Sequence, residues 1–245
     1  MLVSLHLPKT AGTSFLGLLE SHYGEKLLRD YGDRPLNRSP WQRRLRAVRG
    51  CARNAVSSSR FSGFECIHGH FMPLKYRFMP GNDETQFVAW LRDPVERLAS
   101  HYYYWKRSYN PMDAGRLHRR VVEDRWSLER FCLGPELQNT YSKFLWACSL
   151  ESFNFIGITE HYNEDVESFS ALFLGTTPPQ VAAENVNQSR ERGDQQRSDR
   201  YIDDGEFRSR VERHHGDDVA LYRRALEMRA RRQRMAGQGD SGIAV

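Results

Sequence analysis

Short apolar runs alternate with amphipathic stretches along most of the chain. The runs rich in strand-forming residues predict four β-strands, at Val3–Leu7, Phe64–Ile67, Gln86–Leu91 and Phe153–Ile158. Apolar positions at helical spacing predict a helix at residues 15–23, after the first strand. Asp93 as N-cap and Pro94 as first residue predict a helix at 94–107, and Thr159 and Glu160 begin another that continues to about residue 174. Because strands that alternate with helices are typical of βαβ units, we expect an α/β fold with three layers, α/β/α, around a central parallel sheet.

The connecting regions carry weaker patterns. Residues 113–150 have mostly helical spacing, and Asp217–Arg234 predicts a basic amphipathic helix. Residues 29–60 are rich in Arg, Ser and Pro, and we interpret them as an irregular insertion that contains one basic helix at Trp41–Val48. Residues 185–200 are polar with few apolar positions, which predicts a loop.

Length and composition limit the kinds of protein that the chain can be. The 245 residues suit a single domain, which we place at residues 1–234, and residues 235–245 predict a disordered tail. No apolar run approaches the ~20 residues of a membrane-spanning helix, and no secretory leader is evident. We therefore expect a cytoplasmic protein, either a soluble protein of bacterial type or a domain excised from a longer one. The four cysteines have neither zinc-site nor disulfide spacing.

The charge of the chain is basic and is carried mainly by arginine. The chain has 36 Lys and Arg against 31 Asp and Glu, a formal net charge of +5, and lysine occurs at only five positions. Arginine favours bidentate contacts with phosphate-like anions. The charge therefore indicates anionic partners, but it does not predict specific binding of nucleic acid.

The turn between the first strand and the first helix is the strongest candidate for an anion site. Residues Pro8–Ser14 read Pro-Lys-Thr-Ala-Gly-Thr-Ser. The N–H groups of such a turn and of the following helix start favour a phosphate-like anion, and Gly12 permits close approach of the backbone to a ligand. Lys9 adds a mobile charge, and Thr13 and Ser14 add hydroxyl donors. The lysine precedes the glycine, unlike in nucleoside-triphosphatase loops, and an ordinary capped helix start is the alternative.

A second candidate follows the strand Gln86–Leu91. Arg92 lies at the expected carboxyl end of this strand, where open α/β sheets bind ligands, and Ser100 lies two helical turns later. A guanidinium group and a hydroxyl together suit a single phosphate group. The alternative is a surface helix on which Glu96 and Ser100 are solvated and Arg97 forms an ion pair.

Together the two segments resemble the cofactor motifs of the sulfotransferases that use 3′-phosphoadenosine 5′-phosphosulfate (PAPS). Within that superfamily they are most similar to carbohydrate sulfotransferases of the heparan sulfate 2-O- and uronyl type. Pro8–Ser14 resembles the loop for the 5′-phosphosulfate, and Arg92–Tyr103 resembles the segment for the 3′-phosphate. The order of the two segments and their separation of about 80 residues also agree with this family.

The resemblance implies a P-loop-containing α/β fold and the transfer of a sulfuryl group from PAPS to a hydroxyl. It implies that the acceptor is a carbohydrate or glycoconjugate, that adenosine 3′,5′-bisphosphate is the product, and that no metal ion is needed. Arg190 lies in a segment that is similar to a loop near the cofactor. The residues implied to bind the cofactor are Lys9, Thr10, Ala11, Gly12, Thr13, Ser14, Arg92, Ser100 and Arg190.

The acceptor hydroxyl must lose a proton, and a histidine that titrates near neutrality suits this role. The resembling family carries its base in a segment such as Ile-His-Gly-His at residues 67–70. We favour His70 as the base and Lys9 as the group that neutralises the leaving oxygen, with His68 second as a residue that orients the acceptor. A structural role is the alternative for either histidine, and a metal site there is disfavoured because no third ligand has suitable spacing.

Three further histidines are expected to lie outside the site. His101 follows Ser100 on the second-segment helix, and we expect it to face away from the ligand. The adjacent His214 and His215 are expected to lie on a solvated helix.

Two other classes of function remain open. A nucleotide kinase would use a similar turn, but the chain lacks the Lys-Ser pair of such enzymes and an evident magnesium carboxylate. A non-catalytic polyanion-binding module would keep the basic surface without needing a lysine and a histidine base. The oligomeric state and the identity of the acceptor are not predicted.

Overall fold

Five parallel strands form the central sheet of the protein. The structure, a computed structural model, describes residues 1–56, 58–80, 84–176 and 201–240. The strands are β1 (Leu2–Leu5), β2 (Leu27–Asp30), β3 (Cys66–Gly69), β4 (Gln86–Leu91) and β5 (Phe155–Ile158), in the order β2-β3-β1-β4-β5. Helices flank the sheet, which confirms the predicted three-layer α/β fold with a central parallel sheet.

The described residues also form nine α-helices, most of which follow a strand or connect two of them. They are α1 (Gly12–Tyr23), α2 (Pro40–Ala55), α3 (Pro94–Arg107), α4 (Arg116–Glu123), α5 (Leu128–Leu133), α6 (Thr140–Phe144), α7 (Tyr162–Phe169), α8 (Gly205–His214) and α9 (Gly216–Asp240). A short π-helical segment, Ser170–Leu174, extends α7. None of the helices in the described chain has the length and apolar character needed to cross a membrane.

Residues 29–60 differ from the sequence prediction. They are not an irregular insertion, because they complete β2 and form α2, whose 16 residues greatly exceed the predicted helix. A capping box explains where α2 begins: Ser39 Oγ accepts from the Gln42 N–H, and the Gln42 side chain accepts from the Ser39 N–H. No sequence pattern predicts β2, because Leu-Leu-Arg-Asp is a half-buried edge strand without alternation.

The C-terminal prediction also needs correction. The helix predicted to end at Arg234 continues to Asp240, so residues 235–240 are helical rather than a disordered tail. The predicted loop at residues 185–200, including Arg190, lies outside the described residues.

Both faces of the sheet are apolar and covered by helices. Val3 and Leu5 of β1 belong to a core that includes Ala225 of α9. Leu2 points to the opposite face, where it joins a core with Phe15 of α1 and with side chains of α7. A third apolar cluster joins α3, α4, α5 and α8 beside the sheet. Burial on both faces explains why the strands read as short apolar runs.

Three loops meet at the carboxyl edge of this sheet. β1 lies between β3 and β4, with Leu5 in register with Gly69 and Ala89. From β1 the chain continues to one edge of the sheet, and from β4 it continues to the other edge. Open α/β sheets bind ligands at such a reversal of strand order. The residues that follow β1, β3 and β4 therefore surround one site.

A buried carboxylate connects α9 to the far side of the sheet. Asp165 of α7 accepts hydrogen bonds from the Ile158 N–H at 2.8 Å and from the guanidinium groups of Arg229 and Arg232, both at 2.9 Å. Asp165 and Arg229 are buried. Asp165 and Arg229 fix α9 against β5. Arg229 also pairs with the exposed carboxylate of Glu164, so removing the Asp165 charge takes away the buried one of its two partners.

We expect Asp165→Asn to lower the free energy of unfolding by about 3 kcal/mol, because Arg229 would lose its buried partner. Urea unfolding measures this change. Glu151→Gln is the matched control, since Glu151 pairs with Arg224 at the exposed surface, and it should cost less than about 1 kcal/mol. Equal losses in the two variants would contradict the assignment.

Candidate active site

A cavity of about 530 Å³ opens at the carboxyl edge of the sheet. It joins three regions that the sequence predicts as site residues, namely Lys9 after β1, His70 after β3 and Arg92 after β4. Arg34 and Arg107 add two further cations, and the described lining contains no carboxylate. This arrangement is suited to a ligand with several negative charges.

The turn Pro8–Ser14 presents the start of α1 to this cavity. Lys9 and Ala11 have left-handed backbone conformations, with φ of 67° and 61°, and such turns direct successive N–H groups to one concave side. No side chain caps α1, whereas Asp93 caps α3 by accepting from two backbone N–H groups. The first N–H groups of α1 are thus available to an anion. The lining residues of the turn are Pro8, Lys9, Ala11, Gly12, Thr13 and Ser14.

Two residues of the turn differ from their expected roles. Thr10 does not line the cavity, because its side chain is buried and its hydroxyl donates to the Leu7 carbonyl at 2.9 Å. Gly12 lines the cavity, but the His6 ring occupies the space beside its Cα. A Cβ at this position would lie 1.8 Å from His6 Nε2. Packing against His6 therefore requires glycine here, independently of any ligand.

Lys9 holds its ammonium group over an aromatic ring. The Nζ atom lies 4.0 Å from the centre of the Tyr104 ring, a cation–π contact. Burial lowers the pKa of Lys9 to about 8, with smaller contributions from the charges of Arg92 and Arg107. A bound anion would oppose this shift and favour the charged form of Lys9.

The backbone of Arg92 is held by Tyr141 of α6. The Tyr141 hydroxyl donates to the Arg92 carbonyl at 2.6 Å and accepts from the Arg92 N–H at 3.0 Å. Asp218 of α9 in turn accepts from the N–H groups of Tyr141 at 3.0 Å and Ser142 at 3.1 Å. The Arg92 guanidinium, which starts from this fixed backbone, lies 5.7 Å from the centre of the Tyr201 ring.

The alternative of a solvated surface helix at α3 is wrong. Glu96 and Ser100 are buried, and Arg97 has no exposed surface. None of the Arg97 guanidinium nitrogens has a hydrogen-bond partner within the described chain, and the group lies 5.2 Å from the centre of the Tyr141 ring. Burial raises the pKa of Asp218, and the charge of Arg97 opposes that rise. The two buried charges therefore lie close to Tyr141 and partly balance each other.

The start of α3 is braced from two other elements. Glu160, which follows β5, accepts from the Asp93 N–H at 2.9 Å and from the Tyr222 hydroxyl at 3.1 Å. Arg208 of α8 pairs with Asp93 at 2.6 Å and with Glu96 at 3.2 Å. These contacts fix the direction in which α3 leaves the sheet, and with it the position of Ser100 at the cavity.

His70 presents one ring nitrogen as a hydrogen-bond acceptor. Its Nδ1 lies 2.5 Å from the His6 carbonyl oxygen. Because a carbonyl only accepts, Nδ1 carries the proton and Nε2 keeps its lone pair. Burial lowers the pKa of His70, and the hydrogen bond to His6 partly opposes this shift. The ring lines the cavity as a neutral imidazole that can take a proton.

His68 lies below the cavity and is not among its lining residues. Its Nδ1 pairs with the Ser4 hydroxyl at 2.8 Å, and burial lowers the pKa of His68 to about 3. His6 separates it from the ligand space, with ring centres 5.1 Å from His68 and 4.3 Å from His70. His6 Nδ1 also lies 3.1 Å from the Tyr31 hydroxyl. Contact of His68 with a ligand therefore requires His6 to move.

Two expectations about other histidines are wrong. His101 lines the cavity instead of facing away, and it is buried against Trp105 with ring centres 4.3 Å apart. His215 is buried at the junction of α8 and α9, where its Nε2 lies 2.7 Å from the Cys132 carbonyl oxygen and its Nδ1 accepts from the Asn139 N–H at 3.2 Å.

Several cavity residues are missing from the sequence prediction. Tyr104 and Arg107 could have been found, because they lie four and seven residues after Ser100 and so share its face of α3. Tyr31 and Arg34 follow the unpredicted strand β2, so no sequence pattern locates them. His6 reads as a strand residue, although the sheet ends one residue before it.

Comparison with known proteins gives no assignment for this site. No family model matches the chain, and no curated protein is significantly similar to it.

We expect Gly12→Ala to lower the free energy of unfolding by about 2 kcal/mol, because the new methyl group would displace the His6 ring. The variant Gly17→Ala is the control, since Gly17 has open space beside it on the same helix and alanine should be neutral or stabilising. In the His6→Ala background the cost of Gly12→Ala should disappear. An unchanged cost in that background, measured by urea unfolding, would contradict the packing argument.

We expect the stability of the protein to fall as the pH falls below about 6.5. Burial lowers the pKa of His68 to about 3 and that of His215 to about 4, and it lowers the pKa values of His6 and His101 well below the ordinary value. As the pH falls, these histidines are therefore protonated in the unfolded chain before they are protonated in the folded protein. Each of them then lowers the free energy of unfolding by up to about 1.4 kcal/mol per pH unit.

Urea unfolding at a series of pH values measures this dependence. His68→Gln should reduce its slope below pH 6.5, because one buried titrating group is lost. The exposed His161 provides the control, and His161→Gln should leave the slope unchanged. A slope that is the same in both variants would show that His68 does not contribute.

Proposed function

We propose that the protein is a sulfotransferase that moves the sulfuryl group of PAPS to a hydroxyl of an acceptor. The observation that carries this proposal is the meeting of Lys9, Arg92 and His70 at one cavity, whose lining among the described residues has no carboxylate. These three residues come from separate loops, and they match the two family-like segments and the favoured base. The free thiols of all four cysteines support the proposed cytoplasmic location.

The β1–α1 side of the cavity would bind the 5′-phosphosulfate. The uncapped start of α1 supplies backbone donors, and Thr13 and Ser14 supply hydroxyls. Lys9 would leave the Tyr104 ring to contact the oxygen that bridges phosphorus and sulfur. There it would neutralise the charge that develops as the bond breaks.

The α3 side of the cavity would bind the 3′-phosphate. Arg92 and Ser100 line this side, and Arg107 adds a second guanidinium on the same helix face. A phosphate monoester carries a charge of about −2, so two guanidinium groups suit it. Because α3 is capped by Asp93, these side chains rather than the α3 N–H groups would make the contacts.

His70 would accept the proton of the acceptor hydroxyl at Nε2. The acceptor oxygen forms a bond to sulfur while the bond from sulfur to the phosphate oxygen breaks, and the electron pair stays on that phosphate. The proton then leaves the His70 imidazolium to solvent. The hydrogen bond from Nδ1 to the His6 carbonyl supports this role, because it leaves Nε2 unprotonated.

The part of the cavity next to His70 suits a polyhydroxyl acceptor. The rings of Tyr31 and Phe144 lie 4.9 Å and 6.4 Å from the His70 ring and provide apolar faces, and Asn37 and Arg34 add hydrogen-bond donors to the lining of the same cavity. A carbohydrate acceptor, which the family resemblance implies, is consistent with this combination. A kinase reaction is less well supported, because a magnesium nucleotide requires carboxylates and the described lining has none.

The proposal predicts stabilisation by adenosine 3′,5′-bisphosphate in a thermal unfolding assay. At a concentration about 100 times the dissociation constant, the midpoint should rise by about 5–10 °C. Lys9→Ala and Arg92→Ala should remove most of this rise. Lys26→Ala and Arg223→Ala are matched controls on the exposed surface and should keep it. Stabilisation by ATP with Mg²⁺ but not by the bisphosphate would refute the proposal.

Measurements of turnover distinguish binding of the bisphosphate from the transfer reaction. His70→Gln should retain the rise in thermal midpoint that the bisphosphate causes. Its rate of bisphosphate release from PAPS, measured with a panel of carbohydrate acceptors, should fall about 10²–10⁴-fold. Retained turnover in His70→Gln would move the base to another residue.

A further inference from the structure

The segment around α2 is strongly basic. Between Arg34 and Phe64 the chain has eight arginines and no acidic residue. Five of these arginines lie on α2 itself, whose 16 residues contain no carboxylate. Of these eight arginines the proposed transfer reaction uses only Arg34, so the basic charge of α2 has no role in it.

The outward face of α2 is apolar. Trp41, Leu45, Val48 and Ala52 lie within a sector about 60° wide, at 100° per residue. Trp41 is 71% exposed and Val48 is 48% exposed, and Val56 directly after the helix is 84% exposed. Exposed apolar side chains aligned on one helix face are typical of a surface that contacts another apolar phase.

Arginines flank this apolar stripe on both sides. By the same helical spacing, Arg44 borders it on one side, and Arg49 and Arg53 border it on the other. A groove of about 470 Å³ runs along the second side and is also lined by Arg38 and Arg46. Arg49 and Arg53 are exposed and have no ion pair among the described residues. Their charges are therefore free to contact an anionic partner.

The opposite face of α2 fixes the helix in this orientation. Asn54 is buried and donates to the Lys75 carbonyl at 3.0 Å, and Gly50 packs against the Lys75 side chain. Arg46 donates to Asp33 at 2.8 Å. The apolar stripe is thus held outward by the fold and is not exposed by an unpacked helix.

We propose that α2 docks this protein on the surface of an anionic lipid bilayer. In this arrangement the helix lies parallel to the membrane, Trp41, Val48 and Val56 enter the boundary between head groups and acyl chains, and the flanking arginines contact lipid phosphates. Other occupants fit less well. A soluble polyanion would leave the aliphatic side chains exposed, and a second copy of α2 would bring arginine against arginine.

Docking through α2 would also orient the cavity. Residues 34–37 line the cavity and lead directly into α2. A bilayer that contacts Trp41 near the start of the helix would therefore lie close to this wall of the cavity. The docking proposal itself does not depend on the transfer reaction.

Co-sedimentation of the full chain with vesicles tests the proposal. We expect binding to vesicles of phosphatidylcholine mixed with phosphatidylglycerol, little binding to phosphatidylcholine alone, and weaker binding at high salt. The double variant Arg49→Gln, Arg53→Gln should bind the anionic vesicles about 10- to 30-fold more weakly, at about fivefold for each charge. Trp41→Ser combined with Val48→Ser should weaken binding at least about tenfold.

Matched variants elsewhere on the surface serve as controls. Arg223→Gln with Arg231→Gln removes two exposed charges from α9, and Met112→Ser removes an exposed apolar side chain. Both should bind vesicles as the natural sequence does. All variants should keep the stabilisation by adenosine 3′,5′-bisphosphate, so a failure of docking is distinguished from a failure of the proposed reaction.

Three results would overturn the proposal. The first is the absence of binding to anionic vesicles, and the second is equal weakening in the α2 and control variants. The third is that the protein binds heparin but not vesicles. In that case heparin binding would weaken in the arginine variants and stay unchanged in the Trp41 and Val48 variant. That last pattern would assign the α2 surface to a soluble polyanion.

Discussion

The hydroxyl of Tyr141 holds the backbone of Arg92 by two hydrogen bonds, and the candidate site depends on this contact. Tyr141 is itself positioned by Asp218 of α9, which accepts from two N–H groups at the start of α6. Arg97 contributes a buried positive charge beside the same ring. Such a cluster is costly to bury, so it persists only while all of its members are in place. The cluster fixes the backbone from which the Arg92 side chain extends at the carboxyl end of β4.

The histidines at the other side of the cavity are positioned by contacts between their rings. His6, His68 and His70 pack their rings together between the ends of β1 and β3, and burial keeps all three neutral. Only His70 has its second nitrogen free at the cavity while its first is committed to a carbonyl. His70 thus presents a neutral, oriented imidazole to the cavity that Lys9 also lines. The same packing dictates that residue 12 be glycine.

The sequence predicts best those features that depend on local chemistry. β4 and α3 have the predicted bounds, because an apolar run ends at Asp93 and Pro94, which favour a helix start. β2 is not predicted from the sequence, because an edge strand that is hydrogen-bonded on one side only needs no apolar pattern. The buried positions of Arg97 and His215 are also not predicted, since their surroundings come from helices far away along the chain. The apolar runs identify the sheet, but tertiary contacts decide which polar side chains face the cavity.

The contact between α9 and α6 joins segments of the chain that are synthesised at different times. Asp218 follows Arg92 by 126 residues, so both segments of the anion site leave the ribosome long before the residue that anchors Tyr141. The core on one face of the sheet also lacks Ala225 and the partly buried side chains of α9 until this helix emerges. The nascent chain therefore carries Arg92 before the contacts that fix its backbone can form. The fixed position of Arg92 is thus completed by the same packing of α9 that contributes to the core.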